Sequence, residues 1–453
     1  MNHTKKVVAL LTGCVFLLLL AAWAPGKKSD KASSKSAADA SAAVSANDQQ
    51  INNNMQAMFN QGRQIFRYDT FGDEAFWGGA LHLHQAIAGE NLGGVGPGVS
   101  PKTALSVGLK VDADALPASL VEQIKAGKVN LDDPATTLAL LKLNSVVGVT
   151  GFFDKQGKLQ GMGIQCALCH STVDDSFAPG IGHRLDGWPN RDLNVGAIVS
   201  LAPNLQPVAD LLGVDVPTVK KVLGSWGPGK YDAELDQDGK ALRPDGKSAA
   251  TLLPPAFGLA GVNDATYTGW GSVTYWNAYV ANTQMHGKGA FSEPRLTTQQ
   301  FPIVARSHYN QVRNSDDQIT SKLGALQFYQ LGIPAPKAPE GSYNKAQAER
   351  GKALFSGKAN CASCHVPDLY TEPGSSLHTP EEIGIDDFHS SRSPTKKYRT
   401  TPLRGLWSHQ KGGFYHDGRF QTLNEVVVHY NDHFKLQLTD QEQKDLVEFL
   451  KSL

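Results

Sequence analysis

The amino-acid sequence predicts a mainly α-helical chain built from two related modules. Apolar residues recur with helical spacing in several segments, for example over 423–430. A Gly-x-x-x-Phe motif opens a helical segment twice, at Gly62 and at Gly351. The pattern Cys-x-x-Cys-His also occurs twice, at 166–170 and at 361–365. Each module therefore pairs a helix of the same design with a cysteine motif, although in the first module the two are far apart.

The cysteine motif is the attachment signal for haem c, in which two thiols form thioethers and the adjoining histidine becomes an axial iron ligand. The six residues are Cys166, Cys169 and His170 in the first motif, and Cys361, Cys364 and His365 in the second. A zinc site is the alternative, but zinc pairs in one module lie about 15–20 residues apart and these pairs lie about 200 apart. We therefore predict two covalently bound haem c groups. The fold class is mainly α, with two c-type cytochrome haem domains, the first enlarged by long insertions.

The length of 453 residues is sufficient for two or three domains. Lys plus Arg and Asp plus Glu both total 43, so no basic excess points to a nucleic-acid partner. Four segments are predicted: a signal peptide or membrane anchor at 1–26, a flexible Lys/Ser/Ala linker at 27–49, a first haem domain with insertions at 50–340, and a C-terminal cytochrome c domain at 341–453.

The first 26 residues have the pattern of an export signal. Lys5 and Lys6 precede an apolar run that ends at Ala24. Pro25 is a poor residue after a cleavage site, so an uncleaved anchor in the inner membrane is an alternative to a cleaved signal. The segment that ends at Cys14 resembles a lipoprotein box, which is a third possibility. All three imply a periplasmic protein, either free or tethered.

The sixth ligand of the first haem decides its chemistry, because iron with two protein ligands transfers electrons, whereas an open position can react with peroxide or oxygen. His183 is the nearest candidate, and a loop histidine bound to a propionate or to backbone is the alternative. Met285 and His286 are further candidates.

Two segments of the insertions have patterns of their own. Residues 152–163 are rich in glycine and are interpreted as a turn region. Residues 234–245 place acids and a glycine near the positions of a calcium-binding loop, so calcium is a candidate cofactor. The match is imperfect, and an acidic surface turn is the preferred interpretation.

The C-terminal part carries a family resemblance. Leu403-Arg-Gly, Tyr415-His-Asp-Gly-Arg419, Thr422-Leu and Glu425-Val-Val resemble the corresponding half of bacterial dihaem cytochrome c peroxidases and of the related methylamine-utilisation (MauG-like) maturation enzyme. The resemblance is specific from about residue 350 to the end of the chain, with a looser resemblance to dihaem rubber oxygenases.

The same resemblance implies a sixth ligand for the second haem. The peroxidases carry a methionine ligand fourteen residues after the histidine of His-Asp-Gly, and the maturation enzyme carries tyrosine there. In this sequence that position is Tyr430. His429 is a competing ligand, and a purely structural core aromatic is the alternative interpretation of Tyr430.

The resemblance implies an oxidoreductase in which the first haem reacts and the second relays electrons, with an aromatic such as Trp270 or Trp276 between them. His286 and Glu293 are candidates for the acid that handles protons at the first haem. The implied partners are a small redox protein or a quinol-chain donor, and hydrogen peroxide or another small oxidant. A non-enzymatic dihaem electron carrier and an oxygenase acting on an organic substrate are the alternative functions.

Overall fold

The computed structural model describes residues 45–453. In that range the chain forms eighteen α-helices: α1 (Ala46–Tyr68), α2 (Leu83–Ala88), α3 (Pro101–Ser106), α4 (Ala118–Lys125), α5 (Pro134–Lys142), α6 (Ala167–His170), α7 (Val195–Val199), α8 (Gln206–Leu212), α9 (Val216–Trp226), α10 (Leu235–Asp238), α11 (Val273–Asn282), α12 (Val304–Ser307), α13 (Leu323–Gly332), α14 (Lys345–Ser356), α15 (Pro380–Ile383), α16 (Phe388–Ser391), α17 (Leu423–His433) and α18 (Asp440–Ser452).

Twelve short strands in the same range form six two-stranded sheets: β1 (Val111–Asp112) with β5 (Ile181–Gly182), β2 (Val149–Phe153) with β3 (Leu159–Ile164), β4 (Ser171–Val173) with β6 (Arg184–Asp186), β7 (Lys230–Tyr231) with β8 (Thr251–Leu252), β9 (Ala290–Ser292) with β10 (Gln311–Arg313), and β11 (Leu377–His378) with β12 (Tyr398–Arg399). The β1–β5 pair is parallel and the others are antiparallel. Helical content is 42 %, which makes the fold mixed α/β rather than clearly mainly helical.

The predicted targeting segment and most of the predicted linker lie outside the described residues. Helix α1 begins at Ala46, a few residues before the predicted start of the folded region at residue 50. Over residues 45–453, no helix has both the length and the apolar character that a membrane span requires.

The C-terminal region is held together by the crossing of α14 and α18. Gly351 lies against the backbone of α18, where a Cβ atom would collide with the carbonyl group of Asp445. The close approach brings the rings of Phe355 and Phe449 to 5.1 Å. Arg350 adds a bidentate pair to Asp445, at 2.7 and 2.8 Å. The Gly-x-x-x-Phe motif therefore supplies a close contact and, four residues later, an aromatic anchor.

Helix α1 uses the same motif against α13. A Cβ atom on Gly62 would collide with the carbonyl group of Ala325. Phe66 is completely buried and packs on Tyr329 with ring centroids 5.6 Å apart. The two glycine motifs that the sequence repeats are thus two helix crossings of one design.

The segment predicted as a glycine-rich turn region is instead the β2–β3 hairpin. Its register pairs Val149 with Ile164, with an irregularity at Phe152–Phe153. The backbone N–H of Ile164 donates to both carboxyl oxygens of Asp73, at 3.2 and 3.3 Å. Because Ile164 lies two residues before Cys166, this contact fixes the strand that enters the first haem motif.

Candidate functional site

The first motif forms the short helix α6, which places the two cysteines on one turn. The Nδ1 atom of His170 lies 3.1 Å from the carbonyl oxygen of Pro254. Since a carbonyl can only accept, Nδ1 carries the proton and the lone pair is left on Nε2. Burial lowers the pKa of His170 to about 4, so the ring is neutral at physiological pH. A neutral imidazole with a fixed tautomer is the form that ligates iron.

The second motif has the same geometry. Cys361–Ser363 form a 3₁₀ turn, and Nδ1 of His365 lies 3.1 Å from the carbonyl oxygen of Tyr370. Burial lowers the pKa of His365 as well. Both motif histidines therefore present Nε2 as the free nitrogen, and a backbone carbonyl orients each ring.

The cysteines fit thioether bonds to haem better than thiolate bonds to zinc. Burial raises the pKa of Cys166 and Cys169 to about 12 and that of Cys361 to about 11. The thiols are therefore neutral when nothing is bound to them, as the sulfur of a thioether also is. Among residues 45–453, the one grouping of three possible metal ligands joins Cys364 to Glu372 and His378, so the two cysteine pairs do not meet.

Tyr430 and His429 point to different surroundings on α17. Burial raises the pKa of the Tyr430 hydroxyl, and the nearby thiols of Cys364 and Cys361 raise it further. The Nε2 atom of His429 instead lies 3.0 Å from the carbonyl oxygen of Ile383. Tyr430 therefore faces the second motif, whereas the ring nitrogen of His429 is engaged by backbone.

His183 lies on the surface, with 52 % of its side chain exposed. Its Nδ1 atom lies 2.7 Å from Asp114, and this contact raises the pKa of the imidazole. The residue follows β5, and its backbone carbonyl accepts from Asp174. This geometry does not favour His183 as an iron ligand, because an exposed histidine held by a carboxylate faces solvent.

Met285 is buried and His286 is half-buried. Met285 belongs to the apolar cluster against which Cys166 packs. The His286 ring stacks on Phe76 with centroids 3.6 Å apart, and its Nδ1 atom lies 3.0 Å from the Tyr309 hydroxyl. Burial lowers the pKa of His286 to about 3, so this ring is neutral.

Glu293 is held as a carboxylate. Arg295 donates to it at 2.9 and 2.6 Å, and the Tyr275 hydroxyl donates to the same group. Although burial opposes ionisation, these contacts leave the pKa of Glu293 below its ordinary value. A carboxylate that is already committed to three donors is poorly suited to exchange protons.

Trp270 lies in an aromatic cluster with Trp276 and Tyr279, at centroid distances of 5.4 and 5.2 Å. A second aromatic contact was not predicted from the sequence. Trp188, which follows the first motif, meets Trp407 of the C-terminal region edge to face at 5.6 Å. Residues more than two hundred positions apart form this pair, so no local pattern could reveal it.

The acidic segment at 234–245 is a surface turn only in its second half, where Asp245 is 48 % exposed. Asp238 is buried at the end of α10, and it and Asp232 bind the guanidinium group of Arg392 at 2.8 to 3.0 Å. Burial raises the pKa of Glu234 to about 8 and of Asp236 to about 7. Asp238 is buried because a cation from a distant part of the chain reaches it, a contact that the sequence spacing does not show. Calcium binding at this segment stays a prediction.

Two acids have surroundings that connect them to the first motif. Asp73 is completely buried, and burial raises its pKa to about 9, so it is a neutral carboxyl group at the entrance to the first motif. Asp236 and the Cys169 thiol both lie close enough to Tyr231 to raise the pKa of its hydroxyl, after the larger effect of burial. Only the spatial neighbours distinguish these acids from surface acids.

Comparison with known proteins identifies a cytochrome c domain in the C-terminal region. Residues 348–453 match the cytochrome c family, so this part of the chain is a cytochrome c domain that binds haem c. The chain is 24 % identical over 234 residues to the methylamine utilization protein MauG of Methylorubrum extorquens, covering 44 % of this chain and 63 % of the relative. It is 28 % identical over 254 residues to the cytochrome-c peroxidase IdrP1 of Denitromonas iodatirespirans, covering 42 % of this chain and 66 % of the relative.

These matches confirm the predicted resemblance to dihaem peroxidases and MauG-like proteins. The chain spans just under two thirds of the length of these two relatives. A solved MauG-like protein associated with microbial copper homeostasis aligns with 47 % of this chain and 76 % of its own, at 19 % identity and a TM-score of 0.26. A score this low does not establish a shared overall fold.

Proposed function

We propose that this protein is a periplasmic dihaem oxidoreductase of the cytochrome c peroxidase type. The observation that carries the proposal is the matched geometry of His170 and His365. Each has Nδ1 at 3.1 Å from a backbone carbonyl and Nε2 free, next to two cysteines in neutral form. Two such sites on one chain fit two covalent haem groups. The first haem is the reactive centre and the second the electron relay.

The division into two haem domains is part of the proposal. Its support is the repeated crossing of a Gly-x-x-x-Phe helix with a later helix, at Gly62 on α13 and at Gly351 on α18. On this basis residues 50–340 form the first domain with its insertions, and residues 341–453 form the second.

Haem iron bound through one histidine supplies a redox centre that can accept an oxidant such as hydrogen peroxide. The protein orients His170 through Pro254 and keeps it neutral by burial. Asp236 shares the neighbour Tyr231 with Cys169 of the first motif, and its pKa of about 7 lets it hold or release a proton near neutral pH. It suits proton exchange better than Glu293 and His286, the two residues that the sequence suggested for this role.

At the second site Tyr430 is the proposed sixth ligand, because it faces the motif cysteines while His429 binds the carbonyl of Ile383. An anionic oxygen ligand favours oxidised iron and lowers the potential. Aromatic groups are proposed to assist electron transfer between the two sites. They are Trp270, whose indole is buried, and the Trp188–Trp407 pair.

The remaining parts of the proposal follow from the sequence and the relatives. The first 26 residues direct export, the electron donor is a small redox protein or a quinol-linked chain, and the oxidant is hydrogen peroxide or a similarly small molecule. The similarity to a cytochrome-c peroxidase and to a methylamine utilization protein supports a redox role.

Low-temperature EPR of the oxidised, haem-loaded full chain tests the proposal. We expect one high-spin ferric signal that disappears on addition of peroxide, and one low-spin signal that a His170→Ala variant leaves in place. Two low-spin signals that do not change on addition of peroxide, in both the oxidised and the half-reduced protein, would contradict the proposal. They would instead indicate an electron carrier. Consumption of oxygen but not of peroxide by the reduced protein would indicate an oxygenase.

A further inference from the structure

Two apolar cavities lie in the insertion that precedes the first haem motif. The outer cavity has a volume of about 330 Å³ and lies between α3, α4 and α5. The inner cavity has a volume of about 90 Å³ and extends from α3 to Trp77 and Leu168. Four side chains line both cavities and therefore form the wall between them: Pro101, Leu105, Val111 and Leu140.

The polar side chains that line the inner cavity are committed to other partners. The Thr137 hydroxyl donates to the carbonyl of Val99 at 2.6 Å. The Lys110 ammonium lies 2.7 Å from Asp192, and the Thr103 hydroxyl lies 3.1 Å from that of Ser100. The remaining lining consists of aliphatic and aromatic side chains. A cavity without polar partners does not hold ordered water, which needs two to four of them.

The outer cavity offers slightly more polarity at its edge. The Thr136 hydroxyl is engaged with the carbonyl of Asn130 at 2.8 Å, which leaves Gln123 as the polar side chain available to a ligand. An apolar body with at most one neutral polar group fits this lining, whereas a charged group would lose its hydration without compensation.

The inner cavity is separate from the haem site but adjacent to it. Cys166, Cys169 and His170 are not among its lining residues. Leu168, which stands between the two cysteines, forms part of its wall, as does Ile164 at the end of β3. A molecule in this cavity is therefore one side chain away from the first haem motif.

We propose that the outer cavity binds a small, uncharged, apolar molecule. Engineered apolar cavities of about 150 Å³ bind benzene or xenon, which shows that apolar lining alone is sufficient for affinity, and the outer cavity, at about 330 Å³, exceeds that volume. The inner cavity, at about 90 Å³, is smaller than this and reaches Leu168 of the first haem motif. The binding does not depend on the proposed peroxidase activity.

The test is equilibrium binding of naphthalene to the haem-loaded, ferric full chain without peroxide, followed by the loss of naphthalene fluorescence and by a rise in the unfolding midpoint. We expect saturable binding and a midpoint increase of about 1–3 °C. Absence of saturable binding overturns the proposal. Because no turnover is measured, a failure of the peroxidase proposal leaves this result unaffected.

Substitutions locate the binding site. Ala139 is exposed on α5 and lines the outer cavity, so Ala139→Phe fills that cavity from a position where extra volume is tolerated. We expect it to weaken naphthalene binding about tenfold or more. Ala118→Phe is the matched control, because Ala118 is exposed on α4 and lines neither cavity. Equal binding by the two variants would place the naphthalene elsewhere and overturn the proposal.

Discussion

Replacement of Arg392 by methionine is expected to destabilise the protein strongly. The guanidinium group binds Asp238 through two contacts, at 2.8 and 3.0 Å, and Asp232 through one at 2.8 Å. All three side chains are between 0 and 1 % exposed. Removal of the cation leaves two carboxylates without a counter-charge in a dry interior, a change that costs about 3–5 kcal/mol of unfolding free energy.

The loss of unfolding free energy in the Arg392→Met variant should depend on pH. Even beside Arg392, burial raises the pKa of Asp232 to about 6, and the loss of the cation raises it further. A carboxyl group whose folded-state pKa exceeds its unfolded value stabilises the protein at low pH, and this stability is lost as the pH rises toward the folded-state pKa. The Arg392→Met variant should therefore be closer to wild type at pH 5 than at pH 8.

Urea unfolding followed by circular dichroism at both pH values measures this effect. Arg313→Met is the matched control, because Arg313 is exposed and forms no ion pair within residues 45–453. Adding Asp232→Asn and Asp238→Asn to the Arg392 variant should recover most of the loss, since neither carboxylate that faced the guanidinium group then remains. A loss below about 1 kcal/mol at pH 8, or no recovery in the triple variant, would refute this reasoning.

Three further predictions concern other parts of the molecule. Gly351→Ala should force α14 and α18 apart and lower the unfolding free energy by about 1–3 kcal/mol. The control is Gly224→Ala, which lies in open space on α9 and should raise the unfolding free energy slightly. Urea midpoints that shift in the same direction in both variants would contradict this prediction. Tyr430→Phe should raise the potential of the second haem in a redox titration while His429→Ala leaves it unchanged, and the reverse pattern would identify His429 as the ligand. Because burial raises the pKa of Glu234 to about 8, the unfolding free energy should fall as the pH rises from 4 to 8. Glu234→Gln should make this dependence on pH weaker. If the urea midpoints of the variant depend on pH as those of the wild type do, Glu234 is not a buried titrating acid.

Features with a local signature could be predicted from the sequence. Thr439, followed three residues later by Glu442, is the sequence signature of a capping box, and the two residues form one at the start of α18. Helices α9 and α17 likewise lie where apolar spacing indicates them. The two haem motifs were recognisable because covalent attachment fixes both residue type and spacing.

The β2–β3 hairpin was missed because glycines interrupt its strands. Glycine has low strand propensity. Gly163 is nevertheless suited to its position, because the Asp73 carboxyl group occupies the space that a side chain there would fill. Features that join distant segments were also invisible. The carbonyl that orients His170 comes from Pro254, 84 residues away, and Arg392 is 160 residues from Asp232.

The two helix crossings differ in the length of chain that each encloses. Gly62 contacts α13 roughly 260 residues later in the chain, whereas Gly351 contacts α18 roughly 90 residues later. Because the entropic cost of closing a loop grows with its length, closing the first loop costs about 1 kcal/mol more than closing the second. During synthesis the N-terminal part of the chain appears first. The first haem motif precedes α13, the helix that closes its loop, by roughly 150 residues, and the second motif precedes α18 by roughly 75. The segment that contains the first motif therefore stays open over a longer stretch of chain, and we expect it to be the slower of the two to close.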